Sequence, residues 1–459
     1  MTTPLSRRHF LGASAGAAAA AWALPALSWA RARGSNDRIT IGVIGTGGMG
    51  TSHLHSLKGR LAADNIAVTR VCDVYRRRLN NAAKVIDGSA SADTMEYREL
   101  LDDKSLDAVL IATPDHWHTK MAIDAMDAGK NVYCEKPLSL TIEQALACRD
   151  AVKRTGKVLQ VGPQYTSLDS TWKARDAIAA GRIGKVVWSQ SAYCRNSRGG
   201  QFNWTIDPDA GPSQDKSAEG YVDWNRWLGL EHGLAASIPW NADHFFRFRK
   251  YFAYNGGVAT DLLYHKLAPL LLAITGPDGE YPKRVVASGG KFLEKDERDI
   301  PDTFMMMIDY PSEHTIVLAS VMTNDVGLDT VIRGQYGTLA FKDGSDWGDQ
   351  GKLAFSEQGV WAPEFRKKNA DKVSVTTTKN ADGKDVTTPA NGQAVFEIAC
   401  AKRRDHVGNW LDSIRGTAKP DCNIDLGCST MVAIKMGVEA YRQNKVMTWD
   451  AEKEKVVGG

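Results

Sequence analysis

The sequence feature that most constrains the fold is a glycine-rich run placed directly after a short β-branched segment. Ile39–Ile44 is typical of a buried strand, and Gly45-Thr46-Gly47-Gly48-Met49-Gly50 follows it without a spacer. The glycines of a G-x-G-x-x-G turn permit a tight bend, close approach of a pyrophosphate and close packing of helix on strand. The N–H groups that begin the next helix then face the phosphates. We therefore predict that all six residues of this turn contact a dinucleotide.

Strand-like and helical stretches alternate from this turn to about residue 161. The predicted strands are Ile39–Ile44, Ala67–Cys72, Ala108–Ala112, Asn131–Cys134 and Val158–Val161. Alternation of this kind is typical of a parallel, doubly wound sheet with helices on both faces. The chain is therefore predicted to be an α/β protein with an N-terminal Rossmann domain over residues 36–161.

Asp73 ends the second predicted strand, roughly twenty residues beyond the glycine turn, where a carboxylate accepts hydrogen bonds from the adenosine ribose. This position favours NAD as the cofactor. Arg76-Arg77-Arg78 follows and offers the alternative, since an arginine there can meet the 2′-phosphate of NADP. A run of arginines at a helix start is more often a solvated face, so NAD is the prediction and NADP the alternative.

The pattern changes near Gly162, where strand-like runs begin to follow one another. They lie at Lys185–Tyr193, Arg284–Ser288, Thr303–Asp309, Thr315–Val321 and Gly337–Phe341. Such an order predicts a C-terminal α+β domain over residues 162–459, built on a largely antiparallel open sheet. The polar run Asp343–Asn391 is predicted to be an exposed insertion.

The N-terminal residues carry a targeting signal. Ser6-Arg7-Arg8-His9-Phe10-Leu11 is a twin-arginine pattern, and an alanine-rich apolar stretch and small residues follow it. We expect residues 1–32 to be a signal peptide read by the twin-arginine export machinery, and the mature protein to be periplasmic or otherwise exported. The alternative is an uncleaved anchor. The net charge of +3 is small and its basic residues are dispersed, so no nucleic-acid partner is expected.

Three further motifs carry chemistry. Thr113-Pro114 with His118 and Glu135-Lys136-Pro137 each follow a predicted strand, at the edge where open α/β sheets bind ligands. Lys136 can polarise a hydroxyl or carbonyl there, although a surface lysine is an equal alternative. Asp261 and His265 follow Gly256-Gly257 and are four residues apart, so on a helix they share a face. Such a carboxylate can orient an imidazole base, although a structural pair is the commoner role for that spacing.

Taken in order, these motifs resemble the Gfo/Idh/MocA family of NAD(P)-dependent oxidoreductases. The resemblance implies that Lys136, Asp261 and His265 form the catalytic group, with His265 as acid/base. It also implies that the cofactor is bound by the turn and by Asp73, Thr113, Pro114, His118, Glu135 and Lys136. Sugars or other polyols are the implied substrates, and a homo-oligomer, dimer or tetramer, is the implied assembly. Many members carry Asn where this chain has Asp115, so contacts of that Asn do not carry over.

Aromatic residues supply the candidate substrate contacts. The long segment Arg195–Tyr254 is rich in Trp, Tyr and Phe, and aromatic faces pack well against the C–H surfaces of sugar rings. Tyr165, Trp204 and Tyr264 are the candidate substrate-binding residues, with core packing as the commoner alternative for such side chains. His116, His118 and His244 lack the spacing typical of zinc ligands, so no metal site is expected.

Export and a dinucleotide site together restrict the reaction. Nicotinamide cofactors are recycled in the cytoplasm, so an exported enzyme needs a tightly bound NAD that is restored in each cycle. The leading hypothesis is hydride transfer between a sugar or polyol hydroxyl carbon and that cofactor. The alternative is a redox-neutral NAD-dependent glycoside hydrolase that acts through a transient keto-sugar. A non-catalytic sugar-binding module is the second alternative.

Overall fold

The computed structural model describes residues 37–86, 93–342, 352–373, 375–379, 383, 385–389 and 394–458. The predicted signal peptide, residues 1–32, lies outside the described residues. Within these described ranges, no helix combines the length and apolar character needed to cross a membrane.

Six parallel strands form the first sheet, in the order β3-β2-β1-β4-β5-β6. The central strands are apolar along their whole length because helices cover both faces. The strands are β1 Ile39–Ile44, β2 Ile66–Cys72, β3 Asp93–Thr94, β4 Ala108–Ile111, β5 Asn131–Cys134 and β6 Leu159–Val161.

Five helices connect these strands: α1 Gly48–Lys58, α2 Arg76–Val85, α3 Tyr97–Leu101, α4 Asp115–Asp127 and α5 Ile142–Thr155. Helices α1 and α4 begin just beyond the carboxyl ends of β1 and β4, which are neighbours in the sheet. The chain therefore brings two helix N-termini and the loop after β5 to one edge.

The second sheet has ten strands, in the order β16-β13-β12-β11-β7-β10-β9-β8-β17-β18. Only the β7–β10 pair is parallel. The strands are β7 Val186–Ala192, β8 Arg284–Gly290, β9 Thr303–Asp309, β10 Thr315–Val321, β11 Val331–Gly334, β12 Gly337–Lys342, β13 Lys352–Glu357, β16 Val395–Ala399, β17 Met447–Asp450 and β18 Lys455–Gly458, and β14 Val375–Lys379 pairs only with β15 Asp385–Pro389. The predicted fold class, a Rossmann sheet followed by a largely antiparallel sheet, is confirmed.

Helices cover one face of this second sheet. Those that pack on it are α6 Asp169–Ala179, α9 Tyr264–Thr275, α10 Ala362–Lys368 and α12 Ile424–Gln443. The other described helices of this half are α7 Trp224–Leu228, α8 Ala242–Phe246 and α11 His406–Ile414, and a π-helical turn, Ala259–Leu263, precedes α9. Trp188, Met305 and Met307 are exposed on strands β7 and β9. The sheet is therefore open, with exposed apolar side chains.

The prediction of an exposed insertion over Asp343–Asn391 is wrong for part of that range. Strand β13 lies between β12 and β16, and the side chains of Leu353 and Phe355 are fully buried. Phe365 of α10 is also fully buried. The polar composition concealed a period-two pattern in which every second residue of β13 faces the core. Residues 343–351 of this run lie outside the described ranges.

Helix α11 packs against the first sheet although it lies near the end of the chain. Val407, Trp410 and Leu411 belong to the same apolar cluster as the strands β1 and β4. The Trp410 ring lies 5.7 Å from the Tyr133 ring of β5. A late segment therefore completes the core of the nucleotide-binding sheet.

Candidate active site

A cleft of about 520 Å³ runs along the carboxyl edge of the first sheet. Its floor at one end is the glycine turn, and Gly45, Gly47, Gly48 and Met49 line it. Gly45 has a φ of +84°, and a Cβ at Gly50 would stand 1.8 Å from the Gly45 carbonyl oxygen. Only glycine fits these two positions, so the turn has the shape that a pyrophosphate requires.

Asp73 is held beside this turn by hydrogen bonds from the main chain. Its Oδ2 accepts from the N–H of Thr46 at 2.7 Å and from the Thr46 hydroxyl at 3.1 Å, and its Oδ1 accepts from the N–H of Tyr75 at 2.9 Å. Asp73 lines the cleft, whereas Thr46 is buried behind it. Thr46 therefore orients the carboxylate predicted to meet the ribose.

Thr113, Pro114 and His118 line the middle of the cleft. The two ring nitrogens of His118 lie 2.6 Å from the Pro137 carbonyl oxygen and 2.8 Å from that of Thr113. His118 thus joins the loops after β4 and β5. The Thr113 hydroxyl is buried and has no hydrogen-bond partner in the part of the chain that the structure describes. That orphaned polar atom leaves a hydrogen bond for a bound ligand to satisfy.

Glu135 is a buried carboxylate at the start of the loop after β5. Its Oε1 lies 2.7 Å from Nε2 of His53, which α1 supplies, and its Oε2 accepts from the N–H of Lys136 at 3.1 Å. Burial acts to raise the pKa of Glu135, but the bond to His53 and nearby positive charge lower it to about 2. Glu135 is therefore ionised and links the helix of the turn to Lys136.

Lys136, Asp261 and Arg249 form one buried ionic group. Nζ of Lys136 donates to Oδ1 of Asp261 at 2.8 Å and to its main-chain oxygen at 2.9 Å. Nε of Arg249 donates to the same Oδ1 at 2.8 Å. Burial opposes the ionisation of Asp261, yet the two cations hold its pKa well below the ordinary value. The carboxylate is therefore a fixed negative charge.

His265 also lines the cleft, and its Nδ1 is buried with no hydrogen-bond partner from the described ranges. The expected pairing with Asp261 is absent among these described residues, because Asp261 is engaged by Lys136 and Arg249 instead. The rings of Tyr165 and Tyr193 lie 5.5 and 5.9 Å from the imidazole. Burial, and then the charge of Lys136, lower the pKa of His265 to about 3, so its ring is neutral at neutral pH.

Asp115 is a further buried carboxyl group in the cleft, at the first residue of α4. Its Oδ2 accepts from Nδ2 of Asn255 at 2.6 Å, and Oδ1 of that Asn accepts from the N–H of Gly257 at 2.7 Å. The second bond fixes the orientation of the amide. Burial, opposed by the charge of Arg249, raises the pKa of Asp115 to about 7. This group therefore titrates near neutral pH, unlike Asp261.

The three candidate substrate-binding aromatics have different positions. Trp204 lines the cleft, is 43% exposed, and has the Arg249 guanidinium 5.1 Å from its ring. Tyr165 packs against His265. Tyr264 is fully buried, and its hydroxyl donates to the Gly427 carbonyl oxygen at 2.6 Å. The expectation that Tyr264 contacts substrate is therefore not met, because the residue faces the core on the helix whose next residue, His265, faces the cleft.

Sequence reasoning missed Arg249, Asn255 and His53 as site residues. Arg249 and Asn255 lie in the irregular aromatic segment, where no spacing marks them. The one usable signal was position, since Asn255 directly precedes the Gly256-Gly257 pair. The sequence places His53 on the helix that follows the turn. Nothing in the sequence indicates that its ring meets Glu135.

The side chains of His116 and His244 have oxygen atoms of the protein as partners. Nε2 of His116 lies 2.9 Å from the Trp227 carbonyl oxygen, and Nδ1 of His244 lies 3.0 Å from the Tyr254 hydroxyl. Across the part of the chain that the structure describes, no group of three or more His, Cys, Asp or Glu is arranged to hold a metal ion.

Comparison with known proteins agrees with this geometry. Residues 39–163 match the GFO_IDH_MocA model, described as an oxidoreductase family with an NAD-binding Rossmann fold. A glycosyl hydrolase family 109 protein of Stenotrophomonas maltophilia is 32% identical over 214 residues, which are 43% of this chain and 44% of that protein. The chain thus aligns with less than half the length of this curated relative.

Two solved structures share the fold over most of the chain. The aldose-aldose oxidoreductase of Caulobacter crescentus, complexed with glycerol, has a TM-score of 0.61 at 15% identity, covering 90% of this chain and 99% of that one. A levoglucosan dehydrogenase in complex with NADH and levoglucosan has a TM-score of 0.57 at 18% identity, covering 92% and 99%. The family model thus covers the first domain, and these two structures show that the fold of both domains is shared.

Proposed function

With a Rossmann domain that matches the Gfo/Idh/MocA oxidoreductase family as the premise, we propose that this protein transfers hydride between a sugar or polyol hydroxyl carbon and a tightly held nicotinamide dinucleotide. The observation that carries the proposal is that the glycine turn and the group of Lys136, Asp261 and His265 line one continuous cleft.

The residues at the reacting end suit the removal of a hydroxyl proton. Lys136 carries a positive charge whose orientation Asp261 fixes, so its ammonium can donate to a substrate oxygen and stabilise negative charge there. His265 is neutral, so it can accept a proton. A nicotinamide held in the cleft would supply the hydride acceptor for this carbon. Trp204 lines the same cleft, and Tyr165 packs behind His265 without lining it.

NAD is the proposed cofactor rather than NADP. Asp73, which directly follows β2, is fixed at the cleft by hydrogen bonds, and a carboxylate at this position disfavours a 2′-phosphate. Arg77 is paired with Asp207 and Asp209, and Nε of Arg76 donates to the Lys216 carbonyl oxygen at 3.2 Å. Neither of these two arginines lines the cleft. The NADP alternative then depends on Arg78 alone.

A redox-neutral glycoside hydrolase is the second candidate function. The name of the Stenotrophomonas relative favours it. Transient oxidation of a ring hydroxyl, elimination of the aglycone and reduction of the ring use the same hydride-transfer residues. A non-catalytic sugar-binding module is the third candidate, and the buried ionic group at Lys136 argues against it, because burying such charges is costly without a function for them.

The test uses the purified protein without added cofactor. Denaturation should release a bound nicotinamide dinucleotide, and incubation with a pool of sugars and aryl glycosides should give products. Paired aldonate and alditol support the oxidoreductase, whereas a released aglycone supports the hydrolase. A protein that copurifies with no nucleotide and turns over only with added NAD contradicts the tightly held cofactor.

Export through the twin-arginine pathway is proposed for the full chain, with a periplasmic or otherwise exported location. Replacing Arg7 and Arg8 by Lys should leave the protein in the cytoplasmic fraction with its leader uncleaved. An unchanged distribution contradicts this proposal.

A homo-oligomer, dimer or tetramer, is proposed through the open face of the second sheet. Trp188, Met305 and Met307 are exposed there, and Arg333 stacks on the Trp188 ring at 3.7 Å. Exposed apolar groups on one sheet face favour association. Replacing Met305 and Met307 by Lys should reduce the mass measured by light scattering, and an unchanged mass contradicts the assignment of this face.

A further inference from the structure

The segment of residues 204–254, here named the strap, lies across the nucleotide end of the cleft. Its main chain pairs with the loop after β2, through a bridge between Val222 and Tyr75. The N–H of Arg76 donates to the Tyr221 carbonyl oxygen at 2.9 Å, and the N–H of Asp223 donates to that of Val74 at 2.9 Å. The strap is therefore joined to the segment that directly follows Asp73.

Charged side chains fasten the strap at its two sides. On one side Arg77 pairs with Asp209, and the Tyr75 hydroxyl donates to Asp207 at 2.6 Å. On the other side the Arg98 guanidinium donates to both oxygens of Glu231 at 2.7 and 2.9 Å. These contacts span the cleft wall from α2 to α3, so the strap is held on both sides of the nucleotide end.

Most aromatic residues of the strap are core residues rather than a sugar platform. Trp227, Phe245, Phe246 and Tyr254 form one buried cluster with Tyr75 of the Rossmann domain. The Tyr75 ring contacts the Phe245 and Phe246 rings edge-on at 5.8 and 6.0 Å. Opening the strap therefore exposes a large apolar surface, which opposes the opening.

Arg78 is the residue where the strap meets the glycine turn. Its guanidinium lies 5.1, 5.4 and 5.5 Å from the rings of Phe245, Phe246 and Tyr75. A Cβ built on Gly47 would stand 3.5 Å from an Arg78 guanidinium nitrogen. The Arg78 guanidinium therefore lies over the glycine turn, and Arg78 lines the cleft.

The charge of Arg78 has no counterion among the described residues, in contrast to that of Arg77. The aromatic faces hold the guanidinium by cation–π contacts but leave its N–H donors unused. A planar fork of donors over a helix N-terminus matches the oxygens of a phosphate.

We propose that Arg78 binds phosphate oxygens of the dinucleotide, and that the strap holds its guanidinium over the turn so that the nucleotide leaves only when the strap opens. The proposal depends on the proposed function only for the identification of the ligand as a dinucleotide. The group that Arg78 binds is a phosphate, which is either the pyrophosphate of NAD or NADP or the 2′-phosphate of NADP.

The first test compares Arg78→Gln with Lys84→Gln in the full chain. Each variant is loaded with NAD or with NADP, and release is followed during a chase with excess fluorescent etheno-NAD. Loss of a charge-assisted hydrogen bond should speed release from Arg78→Gln by about 10- to 100-fold. Lys84→Gln removes an exposed positive charge from the same helix, outside the cleft, and should release nucleotide as the unmodified protein does. Equal rates for the two variants with both nucleotides overturn the proposal.

The second test separates the role of the strap. Phe245→Leu removes one ring beneath the Arg78 guanidinium and should speed release by several-fold. If the strap acts through Arg78, the double variant should release NAD no faster than Arg78→Gln alone. Additive acceleration overturns the link between the strap and Arg78.

Parallel titrations with NAD and NADP identify the phosphate. Equal weakening of both by Arg78→Gln assigns the contact to the pyrophosphate, and weakening of NADP alone assigns it to the 2′-phosphate. No weakening of either overturns the proposal. Melting of the nucleotide-free variants checks their folding, and Arg78→Lys, which keeps the charge without the fork, should be intermediate. An unmodified protein that retains NAD but oxidises no sugar contradicts the proposed function and leaves this inference standing.

Discussion

The two ends of the cleft are built by different means. At the nucleotide end the main chain decides the shape, because Gly45 and Gly50 leave no space for side chains and Thr46 and Tyr75 N–H groups fix Asp73. At the reacting end, side chains from segments far apart in the sequence form the site. Lys136 follows β5, whereas Arg249 and Asp261 come from the chain before α9.

This difference teaches where each end is vulnerable. Binding at the nucleotide end depends on the free space beside Gly45 and Gly50, so a substitution that adds one carbon atom there should weaken it. The reacting end depends on charge balance, since Lys136 and Arg249 are matched by Asp261, and Asp115 is kept near its titration point by burial. Substitutions of each kind should therefore separate binding from chemistry.

His265→Ala should have the largest effect. Loss of a proton-transfer group lowers kcat by about 100- to 10,000-fold. Because the side chain lies at the reacting end, the amount of nucleotide released on denaturation should not change. Turnover and nucleotide content are measured on the same preparation. Unimpaired turnover contradicts the assigned role of His265.

Asp261→Asn should destabilise the protein more than most single substitutions. It leaves the buried cations Lys136 and Arg249 without their counterion, at a cost of about 3–5 kcal/mol. Urea unfolding measures the loss. Glu313→Gln, which breaks the exposed pair with Lys185, serves as the control and should leave the midpoint unchanged. Equal shifts of the urea midpoint for the two variants contradict the conclusion that Asp261 balances the charges of Lys136 and Arg249.

Gly50→Ala should abolish copurification of nucleotide while the protein still folds. The new Cβ would stand 1.8 Å from the Gly45 carbonyl oxygen, so the turn must move, at a cost of about 1–3 kcal/mol. Gly59→Ala, directly after α1 and outside the cleft, is the matched control, because a Cβ there stands 3.6 Å from its nearest neighbours. Titration with NAD compares the two. Similar affinities contradict the view that volume controls this end.

Asp115→Asn should change how the stability of the protein depends on pH. Burial raises the pKa of Asp115 to about 7, so the folded protein binds this proton more tightly than the unfolded chain does. The contribution is therefore fully present below about pH 4 and is lost as the pH rises towards 7, at up to ~1.4 kcal/mol per pH unit. Unfolding free energies at several pH values should show this slope in the unmodified protein and not in the variant. An identical slope in the unmodified protein and in the variant contradicts the assignment of this titration to Asp115.

The sequence predicted the nucleotide end better than the reacting end. Strands β1 and β5 match their predicted bounds, and the glycine turn opens α1 as expected, because local backbone geometry dictates those residues. The catalytic assignments to Lys136, Asp261 and His265 stay predictions, although all three line the cleft. Their mutual contacts differ from the expected pair, since no local pattern reveals that Arg249 competes for Asp261.

The errors have the same physical origin. Tyr264 and His265 are neighbours on one helix, so they point to different surroundings that only the tertiary packing defines. Strand β13 was hidden because its buried Leu353 and Phe355 lie within a polar run. In both cases the missing information was the position of a distant partner.

Helix α11 has a consequence for the order of assembly. Trp410 and Leu411 fill the core beneath strands that were synthesised several hundred residues earlier, and Arg60 is paired with Asp405 at the start of the same helix. A nascent chain that lacks this helix has an unfinished nucleotide sheet, with an apolar surface open to water. Completion of the nucleotide-binding sheet therefore requires residues 406–414 to fold onto strands that precede them by more than half of the sequence.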